Sequence, residues 1–236
     1  MIRSPRPPAI RVALIGGGSV DPRLSREIDS HDCVIRFNRA SNWGVAGTKT
    51  DVLVLCNTGA AAKAFLDDFH SISAGALASS TIVWFTTPRN IVDRETAHLG
   101  YDPQITSDYS HELTMRMLGK PFRFLPDEVH DLTRSELNLA DKQRPSSGAL
   151  IIAHFLKHQS SSRRHQLTLY GFSHEGWEGH SWSSERAFAD RLEWVKRGNC
   201  GSDGRLEAFR KNARNGVFPK FRSLRKAAGM LIGSTR

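Results

Sequence analysis

The chain has 236 residues, 39% of them hydrophobic and 24% charged, with a formal net charge of +9. This is the composition of a soluble globular protein with room for one sizeable α/β core, which excludes a disordered chain. No run reaches the roughly 18–20 apolar residues that a spanning helix needs, which excludes an α-helical membrane span. Three cysteines, Cys33, Cys56 and Cys200, without C-x-x-C spacing indicate neither a disulfide framework nor a zinc site.

Residues 1–9 read as a disordered lead-in, basic but without an apolar signal core, so nothing marks the chain for export. Ile10–Ile15 reads as a strand. It runs into Gly16-Gly17-Gly18-Ser19, and Pro22–Ile28 follows as a helix. Strand, glycine loop and helix form a phosphate-cradling arrangement, because glycine lets backbone N–H groups approach an anion. It is not a dinucleotide fingerprint, since the third glycine of G-x-G-x-x-G would fall at Asp21.

Two further apolar runs, Cys33–Ile35 and Val52–Cys56, have strand length and β-branched content, and lead to Asn38 and Asn57. A parallel α/β sheet presents ligand-binding residues at the carboxyl ends of its strands. An amide there can donate and accept toward a base, a ribose or a phosphate. Asparagine also simply ends strands and starts turns.

Residues 58–70 read as an Ala-rich helix and Thr81–Phe85 as a buried strand closed by Pro88. Residues 90–142 are less informative. Leu113–Leu118 and Leu132–Leu139 have helical spacing, and Phe122–Leu125 has strand character. Asp127, Glu128, Asp131 and Glu136 read as an acidic solvated helix surface, and His111-Glu112 lacks the second histidine of a zinc protease motif.

Pro145, Ser146 and Ser147 precede a helical apolar pattern, an N-cap signature. The free N–H groups of such an N-terminus, beside two hydroxyls, suit a carboxylate or phosphate, and an ordinary cap is the alternative. Gln166–Tyr170 reads as a strand leading to Gly171-Phe172. In Gly176–Glu185, His180 and Glu185 stand five apart. A histidine titrating near neutrality suits general-base work. A carboxylate opening the next helix can orient it or complement the dipole. Packing beside Trp177 and Trp182 is the alternative for His180, with His174, Glu175 and Glu178 as competitors. Ser184–Arg197 reads as a helix with Phe188, Leu192 and Val195 on its core face. In the tail, 205–236, nine basic residues face the single acid Glu207. Mixed with Phe218, Phe221, Leu224, Met230, Leu231 and Ile232, they form either a solvated basic helix or a basic amphipathic segment suited to an anionic membrane surface.

Three of these stretches together resemble glycosyltransferase family 29, the sialyltransferase family. Arg26-Glu27-Ile28-Asp29-Ser30-His31-Asp32, Val34-Ile35-Arg36-Phe37-Asn38, Gly47-Thr48-Lys49-Thr50 and Asn57 resemble its long motif. Pro145-Ser146-Ser147-Gly148, the aliphatic helix after it, and the strand ending at Gly171-Phe172 resemble its short motif. His180 and Glu185 are similar to its very short motif.

The resemblance implies a single-domain, Rossmann-like α/β fold, its mostly parallel sheet flanked by helices, a variant of the glycosyltransferase A architecture. It implies inverting transfer of a 2-keto-acid sugar, sialic acid or Kdo, from a CMP-activated co-substrate to a saccharide or lipid-linked saccharide, as in polysaccharide biosynthesis. The implied roles are Gly17, Gly18, Ser19, Asn38 and Asn57 on CMP, and Ser146, Ser147 and Gly148 on the donor carboxylate or phosphate. Gly171 and Phe172 flank the nucleotide, His180 is the base and Glu185 supports it.

No metal and no cofactor are expected, and no D-x-D follows a strand in a metal-binding context. The chain lacks the family's separate aromatic/His motif, since Phe172 runs almost directly to His180. It also lacks the family's disulfide, because Arg11 opens the first strand and 146–158 contains no Cys. That fits a reducing cytoplasm, with the tail allowing peripheral attachment to the inner face of a membrane. A non-catalytic CMP-sugar or glycan-binding relative is one alternative. A nucleic-acid-binding protein using the basic tail is another, although no nucleic acid is expected as a partner.

Overall fold

A computed structural model describes residues 8–98, 103–117, 119–160 and 164–198. The expectations for 205–236, and for 1–9 as far as residue 7, lie outside the described residues.

Seven strands among the described residues form one all-parallel sheet: β1 (Ile10–Ile15), β2 (Cys33–Phe37), β3 (Val52–Leu55), β4 (Ile82–Phe85), β5 (Phe122–Phe124), β6 (His165–Tyr170) and β7 (Val195–Arg197). Their order is β5-β4-β3-β2-β1-β6-β7. The central strands are buried on both faces, which is why β3 reads VLVL without alternation. The edge strands β5 and β7 have only three residues each, so little unpaired backbone is left at the rims. This is the expected α/β, Rossmann-like arrangement.

The helices divide between the faces. One face packs α7 (Asp127–Leu137), α8 (Ser147–Lys157) and α9 (Trp182–Asp190) against Val12, Leu14, Ile35, Val54, Leu167 and Leu169. The other packs α1 (Ser25–Asp29) on Ala13, Ile15 and Val34. It also packs α2 (Gly59–Asp67), α3 (Ala74–Ser79) and α6 (Ser110–Arg116) on Leu53, Leu55, Val83 and Phe85. Two further helices, α4 (Arg89–His98) and α5 (Pro103–Thr106), follow β4. In α8, Ala149 through Ala153 and Phe155 are all buried, an apolar surface almost all round that only a central helix can carry. No helix among the described residues is long and apolar enough to cross a membrane.

Several boundaries differ from the sequence expectation. Pro22–Ile28 splits into a 3-10 turn, Pro22–Leu24, capped by the Asp21 carboxylate on Arg23 N–H (2.9 Å), and then α1. The helix expected from Leu132 begins at Asp127, because buried His130 and Thr133 interrupt its apolar pattern. α4 escapes detection because only Ile91 and Val92 supply an apolar face. The helix expected over Ser184–Arg197 runs only from Trp182 to Asp190, and Val195 belongs to β7, where it still packs on the core. Leu118, the end of one expected helix, lies outside the described residues.

From β1 the chain adds strands in one direction as far as β5, then returns to place β6 and β7 on the other side. The order reverses between β1 and β6, and in open α/β sheets ligands bind outside the carboxyl ends of the strands at such a switch point. Since every strand is parallel, the segments after β1, β2, β3, β4 and β6 all emerge along that one edge. α8 precedes β6 and α9 follows it, so both begin there too.

Candidate active site at the carboxyl edge of the sheet

The loop after β1 and the turn after β6 interlock through backbone alone. Gly16 N–H donates to the Tyr170 carbonyl and Gly18 N–H to the Gly171 carbonyl, each at 2.8 Å. A Cβ on Gly16 or Gly18 would stand 2.6 or 2.7 Å from Gly171 O, and one on Gly171 (φ +65°) 2.6 Å from Gly18 O. The three glycines are therefore required by mutual approach. Gly18 N–H is spent on this contact. Gly17 and Ser19 are exposed, and their N–H groups are not engaged among the described residues. Asn42 closes the loop from outside, its Nδ2 donating to Gly16 O (2.9 Å) and Gly18 O (2.8 Å).

Phe172 joins this loop to α8. Its ring lies 3.2 Å from where a Gly16 Cβ would stand and 2.6 Å from that of Gly148, and meets Phe37 edge-on. Glycine at 148 is thus a steric requirement of Phe172. At the α8 N-terminus, Ser146 Oγ caps Ala149 N–H (3.2 Å), and the N–H groups of Ser147 and Gly148 are not engaged among the described residues. Two sets of free backbone donors, Gly17/Ser19 and Ser147/Gly148, therefore flank one aromatic ring.

The loop before α8 is zipped to the segment before α9. Arg144 N–H donates to Gly179 O (3.0 Å), and His180 Nδ1 lies 2.7 Å from Arg144 O. Ser146 N–H and Oγ donate to the two oxygens of Glu185, at 2.8 and 2.5 Å. A carbonyl only accepts, so His180 Nδ1 carries the proton and Nε2 is left with a lone pair. Burial holds the imidazole below its ordinary titration range; the bond to the Arg144 carbonyl opposes this, and the nearby guanidinium reinforces it. His174 differs, because its Nε2 faces Arg197 Nη2 at 3.2 Å.

Among the described residues Glu185 bonds Ser146 and makes no hydrogen bond to His180. It is buried and clamps Ser146, a carboxylate of the protein at a helix N-terminus. Burial raises its pKa against the lowering effect of the Ser146 bonds. The N–H and hydroxyl hydrogen of Ser146 are accordingly engaged on Glu185.

The asparagines part company. Asn38, at φ +53°, accepts Cys56 N–H on Oδ1 (3.0 Å), and its Nδ2 has no partner among the described residues. Asn57 is fully buried and saturated. Its Nδ2 donates to Thr87 O (2.8 Å) and Asp108 Oδ1 (2.9 Å), and its Oδ1 accepts from Thr87 N–H (2.9 Å). Asn57 therefore fastens β3 to β4 and is not available to CMP as expected. Much of the long-motif resemblance is likewise scaffold. Asp29 accepts the N–H groups of Thr48 and Lys49, and buried Arg36 donates to Ala46, Gly47 and Lys49 carbonyls.

No protein-family model matches the chain. It is 28% identical over 190 residues to the urease operon 23 kDa accessory protein of Rhizobium meliloti (strain 1021), across 77% of this chain and 88% of that one. Among solved structures, the sialyltransferase CstII from Campylobacter jejuni, in complex with the substrate analogue cytidine-5'-monophosphate, aligns over 70% of this chain. The identity is 10%, the TM-score 0.38, and the chain spans 62% of that structure's length. At that score the two chains are not shown to share a fold.

Sequence reasoning missed Arg144, the hub of the site. Its guanidinium pairs with buried Glu95 (2.8 Å) and donates to Thr58 Oγ1 (3.2 Å) and the Ile105 carbonyl (3.1 Å), while its own carbonyl holds His180. Burial raises the Glu95 pKa against the pull of Arg144. The one local signal was its position just before Pro145-Ser146. Asn42 carried none. Among the described residues no three His, Cys, Asp or Glu side chains converge as metal ligands.

Proposed function

We propose that the protein is an inverting glycosyltransferase that uses a CMP-activated 2-keto-acid sugar, with His180 as general base. The observation that carries the reading is the imidazole whose Nδ1 is fixed on the Arg144 carbonyl and whose Nε2 has no partner among the described residues. The Arg144 carbonyl that holds it lies two residues before Ser146, the cap of the α8 N-terminus, where the N–H groups of Ser147 and Gly148 have no partner among the described residues. In this reading Nε2 takes the proton of an acceptor hydroxyl as that oxygen attacks the anomeric carbon. The bond from that carbon to the phosphate oxygen breaks, and CMP leaves with the electron pair. The N–H groups of Gly17, Ser19, Ser147 and Gly148 meet the phosphate and the sugar carboxylate, where such donors and the α8 dipole favour negative charge. Asn38 Nδ2 is the amide left to read the nucleotide. The family resemblance supplies the identity of the donor, sialic acid or Kdo.

Thermal unfolding with CMP, AMP, UMP and GMP, each with and without EDTA, tests this. A ligand that binds the folded state alone raises Tm by mass action. A CMP-selective, EDTA-insensitive rise is expected, and no rise with any nucleotide at millimolar levels contradicts the donor assignment.

The relative named as a urease operon accessory protein favours a second reading, a non-catalytic accessory protein that keeps the fold and binds a partner or glycan. That reading expects no CMP release from CMP-sialic acid or CMP-Kdo, and no effect of His180 replacement on whatever assembly is measured.

A further inference from the structure

The loop between β6 and α9 holds one aromatic ring that nothing in the site yet uses. Trp177 is 48% exposed. Its indole lies over the backbone of Gly179, where a Cβ would stand 2.3 Å from Cη2, so only glycine lets the ring fold back there. The Trp177 carbonyl accepts from His180 N–H (3.2 Å) and Trp182 Nε1 (3.1 Å). Both indoles meet the His180 imidazole edge-on, with ring centroids at 4.9 and 4.8 Å. Trp182 is thereby tied down, while the Trp177 indole N–H has no partner among the described residues. The ring is thus held in a fixed place beside the His180 imidazole and open to solvent.

Its surroundings narrow the occupant. Ser173, Glu175 and Glu178 on the same loop are all exposed. A lipid surface or an apolar protein face would require further apolar neighbours, and a nucleic acid would meet two carboxylates. A pyranose ring has one face of C–H groups and a rim of hydroxyls. It fits an aromatic plane with a polar tip beside carboxylate acceptors.

We infer that Trp177 is the docking platform for a saccharide acceptor. The sugar's C–H face stacks on the indole, Glu175 and Glu178 accept from its hydroxyls, and one hydroxyl is presented to His180 Nε2. Trp177 then determines acceptor binding without touching the donor. The inference rests on the proposed transferase reading for the role of His180.

The test is binding of the full chain, with saturating CMP, to an array of neutral and acidic oligosaccharides, comparing wild type with Trp177→Ala and Trp177→Phe. Wild type is expected to bind a subset of glycans, Trp177→Ala about tenfold more weakly, and Trp177→Phe in between. The CMP-induced rise in Tm, kept in both variants, shows that they fold. Equal glycan binding by wild type and Trp177→Ala overturns the inference, as does no glycan binding by wild type. If that happens while CMP still raises Tm, the platform fails and the donor reading stands. Trp177-dependent glycan binding without a CMP response keeps the platform and discards the transferase reading.

Discussion

The two flanks of the carboxyl edge use similar residues to opposite ends. On the β3–β4 side several buried polar groups are spent on one another: Asn57 on Thr87 and Asp108, Arg144 on Glu95, Thr58 and Ile105, and His130 Nε2 on the Thr86 carbonyl (2.7 Å). On the β1–β6 side the groups are held by one end only. Among the described residues the N–H groups of Gly17, Ser19, Ser147 and Gly148, Asn38 Nδ2 and His180 Nε2 have no partner. A buried, saturated group contributes stability, and a fixed but unsaturated one can meet a ligand. Arg144 connects the flanks, its side chain in the first and its carbonyl in the second.

Breaking the saturated flank is expected to cost stability in proportion to what is left unpaired. Arg144→Met strands the Glu95 carboxylate in the interior and is expected to cost about 3–5 kcal/mol in urea unfolding. A loss below about 1 kcal/mol would mean the ion pair contributes little.

His130 gives a pH-dependent form of the same test. Burial pulls its pKa from 6.5 down to about 4, the main cause, although its bond to Thr86 acts the other way. The folded-state pKa lies below the unfolded one, so this group's contribution is intact above about pH 6.5. It is lost progressively as pH falls toward 4, by up to about 3 kcal/mol. His130→Gln keeps a donor and removes the titration, so its stability should fall less than wild type over that interval. Parallel pH curves for the two proteins would refute this.

The asparagine pair sharpens the contrast at smaller magnitude. Asn57→Ala leaves the Thr87 N–H and carbonyl unpaired and is expected to cost about 1–3 kcal/mol. Asn38→Ala should cost about 1 kcal/mol yet weaken the CMP-induced rise in Tm. Equal behaviour of the two variants would erase the distinction between the flanks.

That distinction marks the limit of what the sequence makes legible. The sheet could be read because β1, β2, β3 and β4 carry short apolar, β-branched stretches and β6 alternates as HQLTLY, and the parallel sheet gathers their carboxyl ends on one edge. Gly16–Ser19, the start of α8 and His180 were therefore locatable. Whether a polar atom there is already used depends on partners far along the chain. Asn38 and Asn57 follow similar runs, but only Asn57 meets Thr87 and Asp108. Glu185 looked like the partner of His180 by spacing, yet it belongs to Ser146. Glu95 and Arg144 pair from helices and loops with no shared local pattern. β7 was hidden because three residues, two of them basic, carry no strand period.

The measurement that bears most directly on the account is CMP release from CMP-sialic acid and CMP-Kdo, by wild type and by His180→Ala, in the presence of a saccharide acceptor mixture. The account predicts turnover of at least one donor by wild type and a loss of about 10²–10⁴-fold in His180→Ala with CMP binding retained. No release by wild type, or equal release by the variant, would contradict the assignment of His180 as the base.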